Sequence, residues 1–156
     1  MKSSDVVKEN YRGNILLFEE RMAKVPGVKF GDLDNCPLTH QFGDGLYVRT
    51  IFMPKGMLIV SKIHKYTHPA FIMSGKVSVL DEKGLKLIQG PCSFMTPAGT
   101  KRLLYTHEDT TWVTVHATKE TDLAKIEDEV IAKTFDEVDA IDYEKMIQHI
   151  EGGKIT

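Results

Sequence analysis

Between residues 33 and 118 the chain is written in short runs of Val, Ile, Thr, Phe and Tyr, each broken within a few residues by Gly, Pro or Asp. That rhythm constrains the fold more than any other feature. β-Branched and aromatic side chains suit a pleated, half-buried surface, whereas Gly, Pro and Asp supply the turns between such surfaces. Residues 46–54, 57–64, 70–73, 76–81, 85–89, 93–96, 102–106 and 112–117 each read as a strand. Turn signals fall between them, among them Gly43-Asp-Gly45, Pro54-Lys-Gly56, Glu82-Lys-Gly84 and Pro97-Ala-Gly99. About eight short strands at such close spacing make an all-β sandwich or barrel, with helices only outside the span.

The flanks read as helical. Ile15, Leu16, Phe18, Met22 and Ala23 recur three and four apart among charged residues, and Val25-Pro-Gly ends that pattern. After the strands, Thr121 is placed to cap a helix with Leu123, Ile126 and Val130 on one face. A second short helix follows Phe135, with Tyr143, Met146, Ile147 and Ile150 on a stripe and Gly152-Gly153 as its stop. Both stripes read as core or dimer contacts. The expected organisation is an N-terminal helical extension (1–32), a β-barrel (33–118) and a C-terminal helical extension (119–156). A chain of 156 residues can bury a core without staples, so Cys36 and Cys92, in no CxxC or Cys/His cluster, default to packing.

Several classes of function fall away. The formal net charge is -2, and no basic cluster points to nucleic acid. No apolar run approaches a membrane span. Met1-Lys-Ser-Ser-Asp lacks the apolar stretch of a signal peptide, so a cytoplasmic protein is expected. Phosphate-binding glycine loops and a G-x-S-x-G nucleophile motif are missing as well.

Two segments carry the candidate chemistry. The first reads Lys62-x-His64-x3-His68-x6-Gly75 and the second Pro97-x-Gly99-x2-Arg102. Strand alternation turns Lys62 and His64 to one side, and turns Lys101 away from Arg102 toward solvent. His116 shares a face with Trp112 and Thr114, either as a pocket imidazole or as a core histidine. His107, five residues past Arg102 and beside a turn, reads as surface, as do His40 and His149.

These segments resemble the two cupin motifs, G-x5-H-x-H-x3/4-E-x6-G and G-x5-P-x-G-x2-H, over most of the β zone. The resemblance implies a cupin-type double-stranded β-helix, a jelly-roll barrel whose pocket is lined by Lys62, His64, His68 and Arg102. In metal-binding cupins three His and one Glu hold a divalent ion. Here Lys62, His68 and Arg102 replace the first His, the Glu and the last His, and only His64 stands unchanged. Lys62 has an alternative as a surface lysine lying along the barrel. His68, just before Pro69, has one as a strand-start histidine bonded to backbone. Cys36-Pro37, the run from Gly45 to Arg49, and Glu108-Asp-Thr with Trp112 and His116 also look like a cupin-like family of tailed-phage and prophage proteins. If that holds, the compartment is the host cytoplasm.

Three functions follow from the resemblance. In the first, a metal-free acid–base site needs no cofactor and acts on a small anionic metabolite, as in cupin epimerases. His64 with His68 supplies the base, Tyr66 or Tyr105 the acid, and Lys62, Arg102, His116 and Trp112 bind the substrate. Two cations in place of ligands would repel a dication and attract a carboxylate or phosphate. In the second, His64, His68 and His116 form a site for Zn, Fe, Mn or Ni in an oxygenase or lyase, which requires Lys62 to swing out; with Lys62 and Arg102 where ligands should stand, that site is expected to be weak or empty. In the third, the barrel is a non-catalytic binding or virion-associated module. A homodimer built from the N-terminal segment or the barrel edges is expected, because open edges need cover.

Overall fold

The computed structural model describes residues 3–24, 26, 29–135 and 137, with side chains from Asn10 onward. The elements in chain order are α1 (Ser3–Met22), β1 (Leu38–Gly43), β2 (Leu46–Met53), β3 (Leu58–Val60), β4 (Ile63–His64), β5 (His68–Ser74), β6 (Lys76–Asp81), β7 (Gly84–Gln89), β8 (Cys92–Thr96), β9 (Leu103–Thr106), β10 (Thr110–Ala117), α2 (Leu123–Val130) and β11 (Ile131–Ala132). A five-stranded sheet has the order β1-β2-β10-β5-β8, a four-stranded one β3-β9-β6-β7, and β4 pairs β11. Every ladder is antiparallel. Among the described residues, helices lie only outside 33–118, as expected.

The register of the five-stranded sheet sorts its inward side chains into rows. One row runs Leu38, Ile51, Trp112, Ile72 and Cys92 across the strands. The next runs His40, Arg49, Thr114, Ala70 and Phe94. A third aligns Phe42, Tyr47 and His116, and sets His68 beside Thr96. The first row belongs to the main core, where Trp112, Ile72 and Met53 meet Val77, Val79 and Leu104 of the facing sheet. The Phe94 ring stands edge-on to Trp112 at 5.5 Å, a favoured aromatic geometry. Cys36 is buried in this core and Cys92 is packed against it; both thiols are free.

Gly75 links β5 to β6 at φ +108, a conformation that costs an L side chain dearly. Space is a second constraint there, since a Cβ would sit 2.6 Å from the Asp109 carbonyl.

Some boundaries depart from expectation. The run 57–64 is two strands, because after Val60 the chain leaves β9. Ser61 takes the Arg102 carbonyl with its N–H and accepts the Arg102 N–H on its hydroxyl, both at 2.8 Å. The chain then resumes as β4 against β11. β1 was not foreseen, nor was β11, which lies within the stretch read as helical. Asp122, not Thr121, caps α2, accepting the Lys125 N–H at 3.1 Å. Ile126 and Val130 of that helix are buried against Tyr47, while Leu123 is exposed. The second C-terminal helix, with Tyr143, Met146, Ile147 and Ile150, falls outside the described residues. No helix among the described residues is long and apolar enough to cross a membrane.

Candidate functional site

Three histidines from three strands converge where the third row meets β4. His64 lies on β4, His68 begins β5 and His116 is near the end of β10. One ligand nitrogen from each lies within 4.8 Å of the other two. The ring centroids are 4.5 Å apart for His64 and His68, 4.6 Å for His68 and His116, and 5.5 Å for His64 and His116. His68 and His116 are buried, at 4% and 5% exposure.

The strand-to-strand links explain the convergence. The Lys65 N–H donates to the Val130 carbonyl at 2.8 Å, which holds the His64 corner against the end of α2. The Gly99 N–H donates to the His64 carbonyl at 2.8 Å, joining the second candidate motif to the first. His68 Nδ1 lies 3.1 Å from the Tyr66 carbonyl. A carbonyl only accepts, so in the neutral ring Nδ1 carries the proton and Nε2 keeps a free lone pair. His116 Nε2 pairs with the Thr114 hydroxyl at 3.0 Å, and its ring stacks on Tyr47 at 5.9 Å.

Burial makes all three imidazoles hard to protonate. His64 is pushed down to about 2, by burial first and then by its two histidine neighbours, Arg49 and Arg102. His116 is lowered to about 4, by burial, His68 and Arg49. His68 is lowered too, mainly by burial, with the Tyr66 carbonyl opposing. Three neutral imidazoles with one ring nitrogen each within 4.8 Å of the others are a donor set that zinc, iron, nickel or manganese accepts, with positions left open for a further ligand. The residues therefore fit a divalent ion.

Two guanidinium groups flank the cluster. Arg102 is buried at 8% exposure. Its Nη1 donates to Thr96 Oγ1 at 2.9 Å, its Cζ lies 5.2 Å from the centroid of the Phe94 ring, and its Nε is 3.8 Å from Asp81. That Nε has no hydrogen-bond partner among the described residues. Arg49 projects inward beside Thr114. Burial lowers its pKa while Tyr47 and Glu127 oppose the shift, but an arginine stays charged. Arg49 was not singled out from sequence. Its signal was there, since it alternates with Tyr47 and Ile51 and is the only charge in an otherwise uncharged strand.

Other expected site residues lie elsewhere. Lys62 belongs to no strand, so the alternation linking it to His64 fails. It is 60% exposed and pairs with Glu127 of α2. Tyr105 is exposed on the outer side of β9, against His107 at 5.2 Å. Tyr66 offers its carbonyl to His68, but its side chain is exposed. Trp112 is in the apolar core, two residues below Thr114. Lys101 is not turned to solvent: its side chain is 11% exposed and paired with Glu19 of α1 at 2.8 Å. Tyr11 of the same helix donates to the Lys101 carbonyl at 2.5 Å. His107 is exposed, as expected. His40 is half-buried, bonded to the Tyr47 hydroxyl at 2.6 Å, and His149 lies outside the described residues.

A jelly-roll barrel with a histidine cluster inside one end is the class that this fold and geometry define. A solved structure agrees on the fold, and others are similar in part. KdgF from Halomonas sp. is 12% identical over 60% of this chain and 90% of its own, with a TM-score of 0.50. The Cnp3 cupin domain of Schizosaccharomyces pombe is 17% identical over 67% of this chain and 76% of its own, with a TM-score of 0.47. A cupin domain from Bordetella pertussis Tohama I is 15% identical over 54% and 94%, with a TM-score of 0.43. The chain has the cupin jelly-roll fold. No protein-family model and no curated protein matches the sequence, and nothing in these comparisons bears on the tailed-phage resemblance.

Proposed function

We propose that this protein is a metal-dependent cupin that binds a small carboxylate-bearing metabolite between Arg49 and Arg102. The observation that carries the reading is the trio of neutral histidine nitrogens, all within 4.8 Å of one another. His64, His68 and His116 would hold the ion. A divalent ion there supplies Lewis acidity toward an oxygen of the bound molecule. Arg102 is buried, and its Nε makes no hydrogen bond among the described residues but lies 3.8 Å from Asp81; it would attract the carboxylate and fix its orientation by a charge-assisted hydrogen bond. Arg49, on β2, would add a second positive charge for the carboxylate. α2 covers Tyr47 with Ile126 and Val130, which limits water on that side.

The metal-free alternative is less well supported. Tyr66 and Tyr105 are exposed, so the acid it requires is missing. A His64 held near 2 is also a weak base, since general bases work best near the ambient pH.

Elemental analysis of tag-free protein, incubated with Zn, Fe, Mn or Ni and then dialysed, should find one ion per chain, and His64→Ala should abolish it. Small carboxylates should then raise the melting temperature of the loaded protein. At a hundred times its dissociation constant such a ligand adds about 2.7 kcal/mol, and Arg102→Met should remove most of that gain. If neither ion nor carboxylate is taken up, the barrel is a non-catalytic module.

A further inference from the structure

α1 packs on the barrel by one stripe. Tyr11, Arg12, Ile15, Phe18 and Glu19 are buried or half-buried, while Leu16 and Leu17 face water. Two neighbours in this stripe reach different parts of the barrel rim. The Tyr11 hydroxyl donates to the Leu80 carbonyl at 3.1 Å and to the Lys101 carbonyl at 2.5 Å. Burial first, then the charges of Asp81 and Glu82, raise its pKa, so the phenol keeps the proton it donates. Farther along α1, Glu19 pairs with Lys101 at 2.8 Å. The Arg12 guanidinium lies over the Phe135 ring, 4.3 Å from its centroid. Successive residues on a helix point about 100° apart, so a single turn reaches both places. Phe135 in turn packs with Ile63 and Ala132, the residues that pair β4 with β11.

Each of these contacts falls one residue short of a site group. Lys101 precedes Arg102, Ile63 precedes His64, and Leu80 precedes Asp81, whose carboxylate is 3.8 Å from Arg102 Nε. The two rim segments are also the parts of the site that the large sheets hold least. β4 pairs through two residues, and Lys101 and Arg102 come before β9 begins at Leu103. We infer that α1 is a clamp across the rim, in which Tyr11 positions Arg102 and Arg12 positions His64, so that the helix sets the spacing between them. The inference rests on the proposed roles of His64 toward an ion and Arg102 toward a carboxylate. Burial of apolar surface is non-directional. A hydrogen bond and a guanidinium over a ring are directional, so this stripe fixes where the rim segments stand as well as covering them. Contacts behind a ligand residue tune what it holds without touching it.

Binding of Zn(II) to the full chain, and of acetate to the Zn-loaded chain, separates the two arms of the clamp. Arg12→Met should weaken Zn(II) about tenfold, the cost of losing support behind a ligand, and leave acetate affinity unchanged. Tyr11→Phe should weaken acetate about fivefold, the worth of one hydrogen bond, and leave Zn(II) affinity unchanged. Leu17→Ala, on the exposed side of α1, should change neither. Phe135→Leu takes the place of Arg12→Met if that variant does not fold. If both substitutions weaken both ligands alike, or weaken neither, α1 is packing only and the inference is overturned. A wild type that takes up neither Zn(II) nor acetate overturns the site assignment instead, and hydrogen exchange of the ion-free chain then decides the clamp. Arg12→Met should speed exchange at the Lys65 and Gly99 amides, which bond at the His64 corner. Tyr11→Phe should speed it at the Arg102 amide, which bonds Ser61. Rates equal to those of the wild type overturn the clamp.

Discussion

The inner face of the five-stranded sheet behaves as two regions built on the same strands. At one level Leu38, Ile51, Trp112, Ile72 and Cys92 meet the facing sheet and form a dry core. Four residues along, the same strands present Tyr47, His116, His68 and Thr96, with Arg49 between the levels and Arg102 bonded to Thr96. Period-two alternation puts both sets inward, and only side-chain chemistry separates them. The polar level is buried as deeply as the apolar one, so its imidazoles stay neutral and its guanidinium groups keep their charge in poorly solvated surroundings. Stability should therefore come from the apolar level and ligand chemistry from the polar one.

Substitutions can break that division or sharpen it. Trp112→Ala empties the core beneath the cluster and should cost about 3–5 kcal/mol, read by urea denaturation. A loss under about 1 kcal/mol would mean that the two levels are not divided as described. Gly75→Ala should cost roughly 2–3 kcal/mol, from a backbone that L residues avoid and a blocked approach to Asp109. It leaves the cluster untouched, so any folded fraction should still take up metal. His116→Ala should do the reverse, losing the ion while keeping a cooperative transition.

Acid should separate the levels next. Each histidine has a folded pKa below its unfolded value, so the unfolded chain binds protons first as pH falls. Stability is full above pH 6.5 and is lost below it, down to about 4 for His116. The slope approaches about 1.4 kcal/mol per pH unit for each histidine that stays neutral. Melting in chelator from pH 8 to 5 should show this loss, and His116→Gln should reduce the slope. A flat profile would mean that the cluster is solvated. The smallest effect is expected from Lys62→Met. That exposed ion pair with Glu127 is worth at most about 1 kcal/mol, and metal uptake should not change.

The barrel was legible in the sequence because alternation and turn residues are local signals. β2, β5, β6, β8 and β10 each stand within two residues of where their patterns place them. β1 escaped because Leu38–Gly43 carries one β-branched residue, although a turn at 33–35 precedes it. β11 escaped because two residues cannot show a period. Within the site, His64, His68 and His116 were named from spacing and strand face, and they do converge. Lys62 is misplaced because alternation links it to His64 only along an unbroken strand, and residues 57–64 form two. What breaks it lies far along the chain, in Arg102 and in Glu127. Lys101 was misplaced for a similar reason, since only α1 makes that position sheltered. Both errors come from contacts distant in sequence, which neighbouring residues cannot report.

The pairing of β4 with β11 has a consequence for the order in which the site is assembled. His64 sits opposite Ile131, 67 positions later in the chain (131 minus 64). That pairing spans just two residues on each strand. Closing so long a loop costs entropy that grows with its length, and two residue pairs return little of it. The His68 and His116 strands, by contrast, sit side by side in a sheet whose ladders run many residues. The His64 corner should therefore be the last to settle during folding and the first to open in the native protein. In hydrogen exchange the Lys65 and Ile131 amides should lose protection well before Ala70 or Thr114. An opening of this kind would release one histidine while two stay in place, giving a bulky ligand a way in that leaves the rest of the barrel standing.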